Sequence, residues 1–466
     1  MKTDYLKTSL FYPITIVCLI CFLLTFVSVN LSTSLGIILS FWLIMRGRPD
    51  GMLGLFLLYF VRYYFYNFAN GSMVYEERDS LVIAGFPLTV ETVVCGFICL
   101  RVFLEKIICP ETYKAKFLQI LFSLWIAAFI PVLIGFYLGY QVRDPNWTRG
   151  LRWLMISGSY FYGYILAKRW PKGGNSLILV SIFLPLVFIM LLLMNLGVYW
   201  SHHGFLFLGL GGAFSIYFMQ NRLFVNRILG MFLFCLSVWY TIRGSLTSMG
   251  ITFLSIFLFY LGSNKRKVTL AIRHRILKFV GVIAILGILF FSFGIGFLGY
   301  HPDFKPSLSH GSYVGTFAQR VEAKALSDRL PFWHPALRQI IAGPHFIVSF
   351  YRPLLLGTPG LPEKWWVGAH NVVLETLRIN GLFAGIIMLI ILFLALKNNI
   401  LVLIKSADSV LKALAAGVLG VAVVGMITGD FPADMTVGFW IWSLAGLCHG
   451  LFLQHSALLL EDKQLS

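Results

Sequence analysis

The residues best suited to chemistry lie in one stretch, VGAHNVVLETLRINGLFAG, at residues 367–385. His370 offers an imidazole that can accept a proton near neutral pH. In a helix, Asn371, Glu375 and Arg378 share one face because they are spaced by four and then three residues. Arg378 then lies about 12 Å along the helix from His370, within an apolar run. Charged groups at such depth usually face a protein interior or a wet cavity, so this stretch is a candidate site.

Structural explanations compete with the chemical one at each of these residues. Glu375 and Arg378 are spaced so that they can neutralise each other as an ion pair. His370 would in that case only cap the start of the helix. In the chemical interpretation, His370 instead takes a proton from an incoming hydroxyl group.

The composition is that of an integral membrane protein. Of 466 residues, 58% are hydrophobic and only 12% are charged, and the mean hydropathy is +0.83. A soluble chain of this size cannot bury so much apolar surface. The net charge of +18 would suggest nucleic acid in a soluble protein. Here topology explains most of the basic residues, because they lie in short loops between apolar runs, and no nucleic-acid partner is expected.

Apolar runs long enough to cross a bilayer follow one another along most of the chain. They predict an all-α, polytopic membrane protein with about 12 to 14 transmembrane helices. With the N-terminus in the cytoplasm, the basic loops alternate as the positive-inside rule requires, and both termini are cytoplasmic. The runs lie at 9–28, 31–46, 52–69, 80–105, 116–139, 150–167, 175–198, 203–219, 226–242, 245–262, 277–299, 371–396, 409–428 and 435–455.

One connection, residues 300–369, is far longer than the others and falls on the outer side. It divides the chain into transmembrane helices over 1–299, the loop itself, and the last three transmembrane helices over 370–466. Its aromatic residues are unlike those of disordered linkers, so we expect a folded, membrane-hugging element that is partly helical. Within it, SDRLPFWHPALRQIIAG predicts a short helix that ends at Gly343.

Small residues in the apolar runs predict packing rather than chemistry. Cys95 and Cys99 are helical neighbours, as are Cys18 and Cys21, and we expect small core residues rather than metal ligands. The segment FLGLGG at 207–212 is typical of close helix–helix contact. The sequence contains no Walker phosphate loop, HExxH zinc motif or dinucleotide fingerprint. We therefore expect neither a metal nor a cofactor.

Arginines on the outer side need an explanation other than topology. Guanidinium groups bind phosphate oxygens in a bidentate way, so an anionic substrate at the outer leaflet is one explanation. Contacts with lipid headgroups and internal salt bridges are the other. The arginines concerned include Arg152, Arg243, Arg329, Arg338 and Arg352.

Several segments together resemble the bacterial O-antigen ligase and O-antigen polymerase family. HNVVLETLRING resembles the family's signature of His-Asn, nine residues and Gly. YTIRGSLTSMG resembles its Ser-Arg-Gly segment, with Ile242 in place of the usual serine. SDRLPFWHPALRQI and RPLLLGTPG resemble its Arg-x-x-x-Trp and Pro-Leu-Leu-Gly-x-Gly segments, the latter with Gly-Thr-Pro-Gly here. The resemblance covers about residues 200–430 and includes the order of these segments.

The resemblance implies a membrane-embedded inverting glycosyltransferase, independent of metal, at the periplasmic face of the bacterial inner membrane. The implied donor is a glycan on undecaprenyl diphosphate. The implied acceptor is lipid A–core for a ligase, or another lipid-linked repeat unit for a polymerase. Membrane lipids are expected partners, and a chain-length regulator is a further candidate.

Roles for individual residues follow from this resemblance. His370 prepares the acceptor hydroxyl, while Arg243 and Arg329 stabilise the leaving diphosphate. These three are the candidate catalytic residues. The candidate substrate-binding residues are Asn371, Arg338, Arg352, Trp333 and Arg152.

Alternatives from other classes stay open at this point. A polytopic transporter or flippase for lipid-linked glycans would share the buried charges and the basic cavity. A non-catalytic scaffold of glycan assembly is a further alternative. Two observations favour an enzyme over a transporter: the sequence shows no internal repeat, and the polar cluster lies at the outer rim. The sequence does not separate ligase from polymerase, although the His-Asn pattern favours ligase.

Overall fold

The computed structural model is built almost entirely of helices. Besides the isolated residues Val17, Ile20, Cys21, Leu24 and Leu58, it describes residues 29–48, 50–56, 80–83, 86–113, 116–137, 149–170, 175–195, 204–243, 246–263, 330–342, 371–428 and 437–465. The predicted span at 277–299 therefore lies outside the described residues.

The described elements follow one another along the chain with short connections. The first are α1 (Val29–Arg46), α2 (Asp50–Phe56), β1 (Ser80–Ile83), β2 (Phe86–Thr89), α3 (Val90–Ile108), a 3-10 turn (Pro110–Tyr113) and α4 (Lys116–Tyr137). The middle ones are α5 (Arg149–Ser157), α6 (Ser159–Lys168), α7 (Asn175–Asn195), α8 (Gly204–Met219), α9 (Phe224–Arg243) and α10 (Leu246–Ser263). The last are α11 (Leu330–Ala342), α12 (Val372–Lys405), α13 (Ser409–Thr428) and α14 (Val437–Leu465).

Several helices have the length and composition of membrane spans. Among the described residues, 5 helices are long and apolar enough to cross a bilayer, namely α4, α9, α12, α13 and α14. Shorter apolar helices lie at Ser34–Arg46, Phe183–Asn195, Gly204–Met219 and Thr247–Ser263. The chain is thus an α-helical membrane protein, as its apolar runs predict.

The predicted spans match most helices closely but miss local breaks. The runs 116–139 and 409–428 correspond to α4 and α13. The run 80–105 is only partly helical, because its first residues form an antiparallel hairpin in which Ser80 pairs with Thr89 and Ile83 with Phe86. Pro87 and Gly85 inside that run are poor helix formers, which is the physical reason for the difference. The run 150–167 is divided between α5 and α6.

Helices α6 and α14 make the closest contact in the described bundle. A Cβ atom on Gly163 of α6 would overlap the backbone carbonyl oxygen of Ser443 in α14. A Cβ atom on Gly446 of α14 would overlap the carbonyl oxygen of Tyr160. Membrane helices associate through such small-residue contacts because lipid provides no hydrophobic force to drive them together.

A second set of close contacts joins α8, α10 and α13. A Cβ atom on Gly209 would lie 2.8 Å from the carbonyl oxygen of Gly417 in α13. One on Gly212 would lie 3.1 Å from the carbonyl oxygen of Thr252 in α10. The packing role predicted for FLGLGG is therefore confirmed. Cys95 and Cys99 are also buried in the apolar core, as predicted.

Candidate functional site

Asn371 begins the helical part of the candidate site as its N-cap. Its backbone is extended (φ −146°, ψ 119°), and its side-chain oxygen accepts hydrogen bonds from the backbone N–H groups of Val373 (3.0 Å) and Leu374 (3.2 Å). These bonds satisfy N–H groups that the first helical turn leaves without partners. The Asn371 side chain is fully buried, so its first task is to fix where the helix begins.

Gly381 divides α12 into two helices. Its backbone (φ 73°, ψ 173°) lies in a region that is accessible essentially only to glycine. We call residues 372–380 the half-helix and residues 382–405 the long helix. The long helix extends over about 36 Å, enough to cross a bilayer alone.

The half-helix packs back against the start of the long helix. In an unbroken helix, Leu377 and Gly385 would be about 12 Å apart along the axis. Instead, a Cβ atom on Gly385 would lie 3.0 Å from the Leu377 Cα atom and 3.1 Å from the Thr376 carbonyl oxygen. The polar stretch is therefore a separate short element beside the span and not its first turns, which the sequence did not predict.

Glu375 and Arg378 form a bidentate ion pair inside the half-helix. Arg378 donates from Nε to Glu375 Oε2 (3.1 Å) and from a terminal nitrogen to Oε1 (2.7 Å). The exposed fractions are 0% for Glu375 and 4% for Arg378. Mutual neutralisation, one of the two predictions for these residues, is confirmed, and both charges are shielded from solvent.

Asn380 is the last residue of the half-helix and its side chain has an unusual environment. It is 0% exposed. Within the described part of the chain, neither Nδ2 nor Oδ1 of its amide has a hydrogen-bond partner. The sequence analysis passed over this residue, although an amide next to a glycine in an apolar run was a signal for a helix break.

Helix α11 packs on α12 with one face, so it places the loop residue Trp333 against the protein. Trp333 is 2% exposed, and Ala336 and Leu337 on the same face are also buried. Arg338 and Ile341 are exposed on the other side. The predicted helix is confirmed and ends at Ala342. Trp333 and Arg338, both predicted to bind substrate, point to different surroundings.

Arg152 and Arg243 occupy helices rather than loops. Arg152 lies in the first half of α5, is 8% exposed, and belongs to a helix that packs against α12. The sequence had placed it in an outer loop. Arg243 is the last residue of α9, which contacts α10, and α10 in turn contacts α12. The side chain of Arg243 lies outside the described residues, as do His370, Arg329 and Arg352.

A second buried polar cluster joins three helices. Asn398 of the long helix donates from Nδ2 to the Tyr160 hydroxyl oxygen of α6 (2.9 Å). That hydroxyl is hydrogen-bonded to Nδ1 of His449 in α14 at 2.7 Å. We call these residues the Tyr160 network. The sequence analysis did not single them out, although Asn398 and His449 are polar residues within apolar runs.

A third cluster lies where α1, α3 and α6 end. Glu105 accepts hydrogen bonds from Arg101 (2.6 Å) and Arg169 (2.9 Å), and Arg169 also donates to the carbonyl oxygen of Arg46 (3.2 Å). Cations at helix C-termini are favourable because the helix dipole is negative there. This cluster therefore ties helix ends together. Among the described residues, no group of three or more His, Cys, Asp and Glu side chains could hold a metal ion.

Comparisons with protein-family models, with curated proteins and with solved structures find no match to this chain.

Proposed function

We propose that the protein is an inverting glycosyltransferase embedded in the bacterial inner membrane. It transfers a glycan from undecaprenyl diphosphate to an acceptor hydroxyl at the periplasmic face. The proposal includes about 12 to 14 transmembrane helices, cytoplasmic termini and a periplasmic loop at 300–369. The observation that carries it is the half-helix, which follows directly on His370 and buries Glu375 and Arg378 beside a membrane span.

The half-helix suits this chemistry because it is a fixed polar element in an apolar surrounding. Asn371 sets its start and Gly381 its end, so the position of His370 at its mouth is defined by the fold on its C-terminal side. The N-terminal end of a helix carries partial positive charge. That charge favours the negative charge that develops on a leaving diphosphate.

The proposed reaction is a single displacement. The acceptor oxygen attacks the anomeric carbon, and the bond from that carbon to the diphosphate oxygen breaks. His370 takes the proton of the acceptor hydroxyl, while Arg243 and Arg329 stabilise the diphosphate that leaves on the lipid. The diphosphate supplies the activation, so the step balances without ATP. Asn371, Arg338, Arg352, Trp333 and Arg152 are the proposed substrate-binding residues, and of these Trp333 and Arg152 are buried on helices that contact α12.

Reconstitution with a lipid-linked donor tests the proposal. We expect purified protein in liposomes to release undecaprenyl diphosphate and to form a new glycosidic bond. His370→Ala, Arg243→Ala and Arg329→Ala should each abolish transfer at normal protein levels. Arg222→Ala and His455→Ala, which change an exposed arginine and a half-buried histidine away from the half-helix, are the matched controls. Full transfer by all three site variants would refute the proposal.

The acceptor is identified by a product ladder in cells that lack the protein. Loss of a polymerase leaves single repeat units on the core. Loss of a ligase leaves full-length glycan on the undecaprenyl carrier. We favour the ligase because of the His-Asn pair at 370–371.

A lipid-linked glycan transporter is the second candidate, and one observation favours it. Discontinuous helices that line a binding site are typical of transporters, and α12 is broken at Gly381. The same liposomes separate the two functions. A transporter moves the lipid-linked glycan between leaflets without forming a new bond, whereas the transferase forms the bond in detergent as well.

A further inference from the structure

Asn380 has a polar side chain that the fold alone does not explain. Its amide is completely buried, and neither of its polar atoms is bonded within the described part of the chain. Burying such a group without a partner costs about 1–3 kcal/mol, and folded proteins keep few of them. The side chain is held close to the break at Gly381, at the end of the element that carries the candidate site.

The two amide atoms specify the kind of group that fits them. Nδ2 donates and Oδ1 accepts, so a complementary group must offer both an acceptor and a donor. A sugar hydroxyl or an acetamido group offers both. A phosphate group offers only acceptors and would leave Oδ1 facing negative charge.

The charge balance of the half-helix agrees with a neutral ligand group. Arg378 lies two residues before Asn380, and its guanidinium is already engaged by Glu375 in a bidentate pair. The half-helix residues 372–380 thus carry no net charge. An anion would find no uncompensated cation on this element, whereas a neutral polar group does not need one.

We propose that the Asn380 amide binds a hydroxyl or acetamido group of the glycan and thereby positions the sugar beside the half-helix. The identification of the ligand as the transferred glycan rests on the proposed function. The chemistry of the bound group rests only on the unbonded amide and the charge balance around it.

Asn380→Leu is the decisive variant because leucine has a similar size and no polar atoms. An amide that the fold does not use can be replaced without loss, so the melting temperature in detergent should be equal or higher. We expect N-acetylglucosamine and glucose to raise the melting temperature of the original protein. In the variant, the affinity for both sugars should fall about tenfold, the effect of losing one or two hydrogen bonds. Inorganic pyrophosphate should act equally on both proteins.

Asn398→Leu is the matched control. Asn398 is another buried asparagine of α12, but its amide donates to the Tyr160 hydroxyl. This variant should lower the melting temperature and leave the response to sugars unchanged. Asn380→Ser keeps a donor and an acceptor on a shorter side chain, so it should retain part of the sugar response.

Three results would overturn the proposal. One is a lower melting temperature for Asn380→Leu, which would mean that the amide has a partner in the fold. Another is an unchanged sugar affinity in that variant. The third is a wild-type protein whose melting temperature responds to neither sugar.

The transfer assay keeps this proposal distinct from the proposed function. Transfer with an unchanged KM for the lipid-linked donor in Asn380→Leu would refute the role of Asn380 and leave the transferase intact. Sugar binding that depends on Asn380, in a protein that forms no glycosidic bond, would refute the transferase and leave the binding site. If both proposals hold, the KM for the donor should rise about tenfold, with a smaller change in kcat.

Discussion

The contact between α6 and α14 and the half-helix 372–380 both bury polar side chains, but they satisfy them in different ways. In the first region, the Tyr160 network links α6, α12 and α14 by hydrogen bonds between helices. In the second, Glu375 and Arg378 bond to each other within one turn, and the Asn380 amide has no bond in the described chain.

The difference indicates which polar groups have a structural purpose. A hydrogen bond between helices fixes how they pack, so the Tyr160 network is accounted for by the fold. An ion pair within a single turn fixes no such relation, and a buried pair is often less stable than apolar residues of similar size. The half-helix therefore carries a cost that packing does not explain. Function is the reason we propose for retaining it.

The largest effect is expected at the ion pair. Glu375→Gln should leave Arg378 buried without its charge partner, at a cost of about 3–5 kcal/mol. Unfolding by SDS titration in bicelles would measure it. In the double variant Glu375→Gln, Arg378→Met no unpaired charge remains, so most of the stability should return. A double variant as unstable as the single one would show that the pair does bind elements together.

A smaller but still large loss is expected where α6 meets α14. The Cβ atom of Gly163→Ala would collide with the Ser443 backbone, which cannot move without separating the helices, so we expect a loss of about 3 kcal/mol. Gly96→Ala in α3 is the matched control, because no atom lies within 4 Å of its Cβ position. That variant should be neutral or slightly stabilised. Equal melting temperatures for the two variants would contradict the close packing.

The sequence predicted helices well and predicted breaks in them poorly. Apolar length is a property of composition, so runs such as 409–428 coincide with α13. Breaks depend on single residues whose signal is weak inside an apolar run. The hairpin at 80–89 and the division of α12 at Gly381 were both read as continuous helix, although Pro87 and the pair Asn380–Gly381 marked them.

The candidate site was predictable to the extent that it depends on local spacing. Glu375 and Arg378 are three residues apart, so their pairing follows from helix geometry alone. Burial of Trp333 and Arg152 depends on which helices contact α12, which no local pattern encodes. The same is true of Asn380, since an amide is recognised as unbonded only when its neighbours are known.

The break at Gly381 offers a test in which function should suffer more than stability. Gly381→Ala places a side chain in a backbone region that is nearly restricted to glycine, at a cost of about 1–3 kcal/mol. The strain can be relieved by turning the half-helix away from the long helix. We therefore expect glycan transfer to fall further than in a variant of equal melting temperature elsewhere, such as Asn398→Leu. Equal losses of transfer in the two variants would argue against a positional role for the half-helix.

The smallest expected effect is at the Tyr160 network, and it gives the sharpest contrast with Asn380. Tyr160→Phe removes one hydroxyl and leaves Nδ2 of Asn398 and Nδ1 of His449 without that bond, so stability should fall by about 1–2 kcal/mol. Transfer measured well below the melting temperature should be unchanged, because this hydroxyl serves packing. Asn380→Leu removes as much polarity from the same bundle and should show the reverse, with stability kept and sugar affinity lost. If both variants lost stability to the same degree, the two regions would not differ in how they use buried polar groups.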